Sequence, residues 1–228
     1  MTKSPRRLFF IAAALLTVLA AGCASGSKKT GSAEVLLNER MAAVLLREGR
    51  AAEAEKAYRE ALPNDSKNPE VHDGLGVALL MQGRFKDAEA DFRAGESSPS
   101  PEDRLDAAIN RGRLKQRQKD FTAAEDAFSE ALSRNPKSSS ALIGRGIARE
   151  ARGALEPAAE DYLGAIRLEP RNAEAHLRLG LVLVTLKKTA LGRRYLERTI
   201  ELDPAGELGA KARLLLDSDS AAPKREGS

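Results

Sequence analysis

The 228-residue chain has one cysteine, two histidines and no tryptophan. A single cysteine cannot form an intramolecular disulfide, so the fold must be stabilised by its packed core. The histidines, His72 and His176, are about three repeats apart, which favours a packing role over a metal or catalytic role for each. The chain also lacks the HExxH, Gly-Lys-Ser/Thr and GxSxG motifs. We therefore expect no enzyme, no cofactor, no metal and no small-molecule substrate.

The chain lacks a strong charge of either sign once its N-terminal segment is set aside. It has 37 basic and 33 acidic residues and a formal net charge of +4. Residues 1–22 contain three of the basic residues and no acidic one, which leaves 34 basic against 33 acidic residues. A nucleic-acid interface needs a clustered basic face, so we expect no nucleic-acid partner.

The chain lacks a hydrophobic run long enough to span a membrane. Its most hydrophobic run, Leu8–Ala21, has fourteen residues, whereas a membrane-spanning helix needs about 20. Lys3, Arg6 and Arg7 precede this run, and small residues end it. This order is typical of a signal peptide, and we predict that residues 1–22 are removed.

The lone cysteine directly follows this segment. The residues Leu19–Cys23, LAAGC, resemble the lipobox of bacterial lipoproteins, with the leucine one place early. The resemblance implies cleavage after Gly22, a diacylglyceryl thioether on Cys23 and a further acyl chain, such as palmitate, on the new amino terminus. Several acyl chains anchor a protein stably in a membrane. Ala24, in place of an aspartate, implies the periplasmic face of the outer membrane rather than the inner membrane. The alternative is an unmodified cysteine.

Two polar segments flank the body of the chain. Residues 23–33 are rich in glycine, serine and lysine, which predicts a flexible tether after the lipidated cysteine. Residues 218–228 contain no apolar side chain larger than those of alanine and proline, which predicts a disordered tail.

Internal repeats fill the region between these segments. A small residue recurs at Ala42, Gly76, Gly112, Gly146 and Gly180, with spacings of 34, 36, 34 and 34 residues. Each unit then has a second small residue and, four places later, a large one, a spacing that puts both on one helix face. These pairs are Ala54 and Tyr58, Ala88 and Phe92, Ala124 and Phe128, Ala158 and Tyr162, and Gly192 and Leu196.

This pattern resembles the tetratricopeptide repeat (TPR). The resemblance implies an all-α fold, a right-handed α-solenoid of about five helical hairpins over residues 34–217. The repeats span about 35–68, 69–104, 105–138, 139–172 and 173–206. Leu208, Ala212 and Leu215 follow at helical spacing, which predicts a C-terminal capping helix over 207–217.

TPR resemblance also implies a concave groove lined by the first helix of each hairpin. The acidic-C-terminus type of TPR groove uses Lys and Asn where the first repeat here has Glu39 and Ala43, so that reading fails. We instead predict an apolar groove for a protein segment, with an alternative in which the fold covers these side chains itself. The predicted groove residues are Val77, Leu80, Met81, Ile109, Arg113, Arg117, Ile143, Ile147, Leu177, Arg178, Leu181 and Val184.

A lipoprotein that consists of little more than a TPR solenoid resembles the PilF/PilW/Tgl group, which helps the type IV pilus secretin to assemble in the outer membrane. The stretch GESSPSPEDRLDAAINRG, residues 95–112, resembles a stretched joint of that group, although we count five repeats where the group typically has six. The resemblance implies a secretin or another envelope assembly component as partner. Two alternatives are the TPR lipoprotein of Flp (Tad) pilus systems and a scaffold lipoprotein that regulates peptidoglycan synthases or hydrolases.

Overall fold

The computed structural model describes residues 29–62 and 68–220. These residues form eleven α-helices and contain no strand. The helices are α1 Lys29–Arg47, α2 Ala51–Ala61, α3 Pro69–Met81, α4 Phe85–Glu96, α5 Pro101–Arg117, α6 Phe121–Arg134, α7 Ser139–Ala151, α8 Leu155–Leu168, α9 Ala173–Thr185, α10 Thr189–Leu202 and α11 Glu207–Ser220. The predicted all-α solenoid of five helical hairpins with a C-terminal cap is confirmed.

Short polar signals start the first helix of a hairpin. Asn68, Ser100, Ser138 and Asn172 are the N-caps of α3, α5, α7 and α9, and each side chain accepts a hydrogen bond from a backbone N–H of the first turn. These bonds satisfy N–H groups that have no partner within the helix. Each of these four hairpins therefore begins at an Asn or Ser, residue types that commonly cap helix N-termini.

A residue in the left-handed region turns the chain inside every hairpin. Gly49, Gly83 and Gly153 have φ between 76° and 81°, while Lys119 and Lys187 adopt φ of 61° and 62° at the equivalent places. Glycine adopts this conformation without steric cost. The two lysines show that the hairpin geometry imposes the turn even where the side chain disfavours it.

The small residues of the repeat allow the two helices of a hairpin to touch. A Cβ atom on Gly146 would lie 2.6 Å from Cε1 of Tyr162, and one on Gly112 would lie 2.7 Å from Cζ of Phe128. Tyr162 and Phe128 are both buried, so neither ring has free space to move into. The small residue of the first helix thus faces the large residue of the second helix, and this contact sets the distance between the helices.

Charged side chains also join neighbouring hairpins. Asp161 is 2% exposed and accepts hydrogen bonds from Arg145 at 2.6 Å and from Arg149 at 2.9 Å. Arg149 also donates to Glu125 of α6 at 2.9 Å. These ion pairs occupy part of the space between α6, α7 and α8 that apolar side chains fill elsewhere.

The last hairpin is closed by α11, as predicted. Ala212 of α11 is completely buried against Leu177 and Leu196. The Asp203 side chain accepts hydrogen bonds from the backbone N–H groups of Leu208, at 3.0 Å, and Gly209, at 3.2 Å. This arrangement fixes the start of the cap on the end of the solenoid.

Three boundaries differ from the prediction. The first helix begins at Lys29, inside the segment predicted as a tether, although Gly31 lowers helix stability by about 1 kcal/mol. The cap extends to Ser220 rather than to residue 217, since no proline or glycine lies between Asp217 and Ser220. The joint before α5 has four residues, and the two inserted residues instead help to lengthen α5 to 17 residues against 13 in α3, α7 and α9. Predicted segment 1–22, Cys23 and most of the tail lie outside the described residues.

Candidate functional site

The first helices of the hairpins lie along one side of the solenoid. In order along the chain, α1 contacts α3, α3 contacts α5, and α5 contacts α7, while α9 contacts the cap α11. Second helices make no comparable contacts with one another within the described part of the chain. The first helices are therefore closer together than the second helices, and they line the inner, concave side of the solenoid.

Four of the predicted groove residues lie in the core. Leu80, Ile109, Ile143 and Leu177 are buried. Ile109 packs in the cluster around Phe128, and the other three pack in equivalent clusters between hairpins. Their places in the repeat point between neighbouring helices, where the next hairpin covers them. The prediction that these four residues are exposed groove contacts is wrong.

Four further apolar residues are half-buried. Val77, Ile147, Leu181 and Val184 pack against the core clusters and keep one side accessible. Only Met81 among the predicted apolar contacts is classed as exposed, with 42% of its surface accessible. The apolar groove predicted from the sequence is thus interrupted, and its most exposed apolar residue, Met81, lies at the end of α3.

The three predicted arginines differ in their surroundings. Arg113 and Arg117 are exposed on α5, and Arg113 donates a hydrogen bond to Oδ1 of Asn110 at 2.9 Å. Arg178 is half-buried and lies 3.8 Å from Glu150 and 3.7 Å from Glu174. The arginines of α5 are therefore the more available of the three for a partner.

A polar chain of hydrogen bonds joins α3 to α5 at this surface. Both oxygens of the Asp73 carboxylate accept from Nδ2 of Asn110 at 2.8 Å, and the Asn110 side chain in turn accepts from Arg113. Burial raises the pKa of Asp73 to about 6, and this effect outweighs the hydrogen bonds from Asn110, which lower the pKa. Asp73 is therefore partly protonated just below neutral pH.

Acidic side chains continue this surface toward α1. Burial raises the pKa of Glu39, and the hydrogen bond with Glu70 and the charge of Glu70 raise it further. Burial also raises the pKa of Asp106. The inner surface of the first three hairpins thus combines carboxyl groups with the exposed arginines of α5 and the exposed side chain of Met81.

The sequence prediction missed this polar component. Asp73 occupies the place in its repeat that Glu39 occupies in the first repeat, and Glu70 and Asp106 also share one place. Reading all residue types at the inner places, rather than the apolar ones, reveals the carboxyl groups. The bond between Asp73 and Asn110, 37 residues apart, requires the tertiary structure.

Both histidines have hydrogen-bond partners. Nδ1 of His72 is 2.8 Å from Oδ1 of Asp91, and Nε2 of His176 is 3.0 Å from the carbonyl oxygen of Pro170.

Within residues 29–62 and 68–220 there is no group of three His, Cys, Asp or Glu side chains placed to hold a metal ion. No helix in that same part of the chain is long and apolar enough to cross a membrane.

A stack of helical hairpins with a small residue facing a large one in each, and with its first helices along one side, defines the class of TPR solenoids. The family model described as "Tetratricopeptide repeat" matches residues 39–101, 109–168 and 156–207. The chain belongs to the tetratricopeptide repeat family. Proteins of this family typically act as scaffolds and adaptors that bind other proteins.

Solved structures show the same fold. The structure "MamA 41-end from Desulfovibrio magneticus RS-1" is 20% identical, with 76% of this chain and 97% of that chain covered and a TM-score of 0.61. A "MamA RS-1 ArsTM double mutant" is 21% identical, with 75% and 96% covered and a TM-score of 0.61. YrrB, "a TPR protein with an unusual peptide-binding site", is 19% identical, with 78% and 90% covered and a TM-score of 0.56. No curated protein sequence matches the chain.

Proposed function

We propose that this protein is a lipid-anchored adaptor of the bacterial envelope that binds a segment of another protein along its inner surface. The observation that carries the proposal is the mixed surface of α3 and α5, where exposed Met81 lies on one helix and exposed Arg113 and Arg117 on the next. Such a surface fits an amphipathic segment, whose apolar side chains contact Met81 and whose acidic groups face the arginines. A peptide-binding site in the structurally similar YrrB supports a peptide as the ligand class.

The residues that we propose to contact the partner therefore lie in the N-terminal half of the inner surface. Val77 and Ile147 pack partly against the core, so charged substitutions there would alter folding as well as binding. Met81 and Arg117 are exposed and can be changed with little effect on stability. They are the sharper test of the groove.

The test compares two double variants. Met81→Asp with Arg117→Glu places negative charge on the inner surface, while Leu191→Asp with Arg194→Glu makes the same changes on α10, a second helix. Met81 is 42% and Leu191 43% exposed, so the two sites are matched. A partner is first identified by mass spectrometry after capture from detergent-solubilised envelope, and its affinity for each variant is then measured by calorimetry.

We expect the inner-surface variant to lose most of its affinity and the α10 variant to keep the parent value. High salt should also weaken binding of the parent protein, because ions screen the exposed charges. If the two variants bind equally well, the partner docks away from the inner surface and this part of the proposal is wrong.

The lipid anchor is a separate part of the proposal and has its own test. The lipobox-like sequence before Cys23 supports it. Cys23→Ser should abolish incorporation of a clickable fatty acid and leave the full-length precursor, as followed by gel mobility. Labelling that persists in the Ser variant would show that lipidation at this cysteine does not occur.

A role in type IV pilus assembly is the finer proposal, and it rests on the resemblance to the PilF/PilW/Tgl group. Deletion of the gene should then reduce heat- and detergent-resistant secretin multimers in outer-membrane fractions, with the secretin monomer retained. Unchanged multimers would favour the Flp (Tad) or peptidoglycan alternatives. Neighbouring genes for a secretin and a pilus ATPase would support the pilus role, whereas genes for peptidoglycan synthases or hydrolases would support a scaffold.

A further inference from the structure

The first hairpin exposes an apolar helix face at the N-terminal end of the solenoid. Leu37, Met41 and Val44 of α1 are 62%, 49% and 50% exposed, and they follow one another at helical spacing on one side of the helix. We refer to these three residues as the N-terminal face. Three adjacent apolar side chains at one end of a helix stack form a surface that water solvates poorly.

The same places are covered in the other hairpins. Val71 and Leu75 of α3, and Leu179 and Val182 of α9, occupy places equivalent to those of the N-terminal face and are at most 5% exposed. They are buried because the second helix of the preceding hairpin packs on them. Among the described residues, no helix covers the N-terminal face, which therefore corresponds to a TPR hairpin interface whose partner helix is not among them.

The two ends of the solenoid are built differently. At the C-terminal end, α11 covers the last hairpin, and the outer side of this cap has one strongly exposed large apolar residue, Leu214. Lys211, Arg213 and Asp217 surround it on the surface. Terminal repeats of solenoids usually need such a polar cap for solubility. At the opposite end of the solenoid, which is nearer to Cys23 in the sequence, the terminal surface is the apolar N-terminal face.

The chain itself limits what can lie against this end. Five residues separate Cys23 from Lys29, the first residue of α1, so that a fully extended link spans at most about 22 Å. If Cys23 carries a lipid anchor, as the proposed function holds, the first turn of α1 stays within this distance of the bilayer. Lys28 and Lys29 lie within the link and at its end, where anionic headgroups attract basic residues.

We propose that the N-terminal face rests on the membrane surface, with Leu37, Met41 and Val44 at the boundary between headgroups and acyl chains. An amphipathic helix that lies in this boundary buries its apolar side in this way. The lipid anchor supplies the proximity, and the N-terminal face fixes the orientation of the solenoid on the bilayer. The inner surface of the adaptor is then presented to the periplasm in one defined direction.

The absence of tryptophan from the chain permits a direct test. Met41→Trp places one fluorophore on the N-terminal face, and Leu214→Trp places one on the exposed cap at the opposite end. Residues 23–228, which contain all described helices, are coupled through Cys23, the only cysteine, to a maleimide phospholipid. The vesicles consist of phosphatidylcholine and phosphatidylglycerol, with or without brominated acyl chains that quench tryptophan on contact.

We expect the tryptophan emission of the Met41→Trp protein to shift to the blue on vesicles. Most of its fluorescence intensity should be quenched when the vesicles contain brominated lipid. The Leu214→Trp protein should keep its emission in both. Adding Leu37→Asp and Val44→Asp to the Met41→Trp protein should abolish the quenching while the protein remains tethered, and far-UV circular dichroism should confirm that its helices are intact.

Two results would overturn the inference. One is equal quenching of the Met41→Trp and Leu214→Trp proteins. The other is a blue shift of the Met41→Trp protein without vesicles that rises with protein concentration together with a dimer in sedimentation, because a second copy would then cover the N-terminal face. Chemical coupling replaces the native anchor in this experiment, so its outcome does not depend on lipidation in the cell, which the Cys23→Ser labelling tests separately.

Discussion

Gly146→Leu should destabilise the fourth hairpin by overpacking. A Cβ atom at this position would lie 2.6 Å from Cε1 and 3.0 Å from Cδ1 of Tyr162, whereas carbon atoms in good contact are about 3.5–4.0 Å apart. The ring must therefore move by about 1 Å before the rest of the leucine side chain is accommodated. Tyr162 is completely buried, and its hydroxyl donates a hydrogen bond to Oε2 of Glu150 at 2.7 Å.

The cost follows from this lack of free space. Overpacking of a core costs about 1–3 kcal/mol, occasionally more, and we expect the upper part of this range because a whole isobutyl group enters a helix contact. For a chain of this size, 1 kcal/mol lowers the melting temperature by about 2–4 °C, which predicts a loss of about 4–12 °C. Thermal unfolding followed by far-UV circular dichroism measures it, on protein that lacks residues 1–22.

A matched control separates packing from composition. Ala151→Leu adds a similar side chain at the exposed end of the same helix and should melt within about 2 °C of the parent, since surface changes cost about 0.5 kcal/mol or less. Combining Gly146→Leu with Tyr162→Ala should cost less than the sum of the two single changes, because the leucine fills part of the cavity. Equal melting of the Gly146→Leu and Ala151→Leu proteins would refute the close helix contact on which the repeat register rests.

Two further predictions concern one buried and one half-buried carboxylate, Asp161 and Asp73. Asp161→Ala leaves the guanidinium groups of Arg145 and Arg149 without this partner and should lower the free energy of unfolding in urea by about 3 kcal/mol. As a control, Asp126→Ala changes an exposed carboxylate and should have little effect. Equal urea midpoints for the two variants would contradict the assigned ion pairs. For Asp73, the pKa of about 6 lies above its ordinary value of 3.8, so the folded state binds more protons than the unfolded state between these values, and stability should fall as pH rises through that window. Asp73→Asn should remove this pH dependence and be the more stable protein above pH 6 by about 1–2 kcal/mol, after solvent screening; parallel pH profiles of melting temperature for the two proteins would exclude a raised pKa.

The accessibility of the predicted groove residues depends on how closely neighbouring hairpins pack. Ile109 and Ile143 share one place in successive repeats, and the sequence shows only that they belong to the first helices. Whether such a side chain faces solvent or the next hairpin depends on how closely that hairpin packs. Both residues are buried, whereas Met81, near the end of its helix, is exposed. Residue type alone could not separate these cases, because all three are large and apolar.

The hairpins and their register follow from local patterns in the amino-acid sequence. The contact between Gly146 and Tyr162 is local to one hairpin, and so are the turns at Gly49, Gly83 and Gly153. Steric fit within about 20 residues is enough to fix such features, and the spacing of small and large residues records it. The capping helix could be predicted for the same reason, since its apolar residues follow a helical period.

Packing between hairpins determines which side chains remain accessible and which charged groups form ion pairs. Asp73 reaches Asn110 only because α3 and α5 lie side by side, and Asp161 is buried only because α7 packs against it. The apolar face of α1 is exposed for the converse reason, since no described helix precedes it. Burial and ion pairing depend on the distances between hairpins, and these distances arise from packing summed over the whole stack rather than from any single repeat.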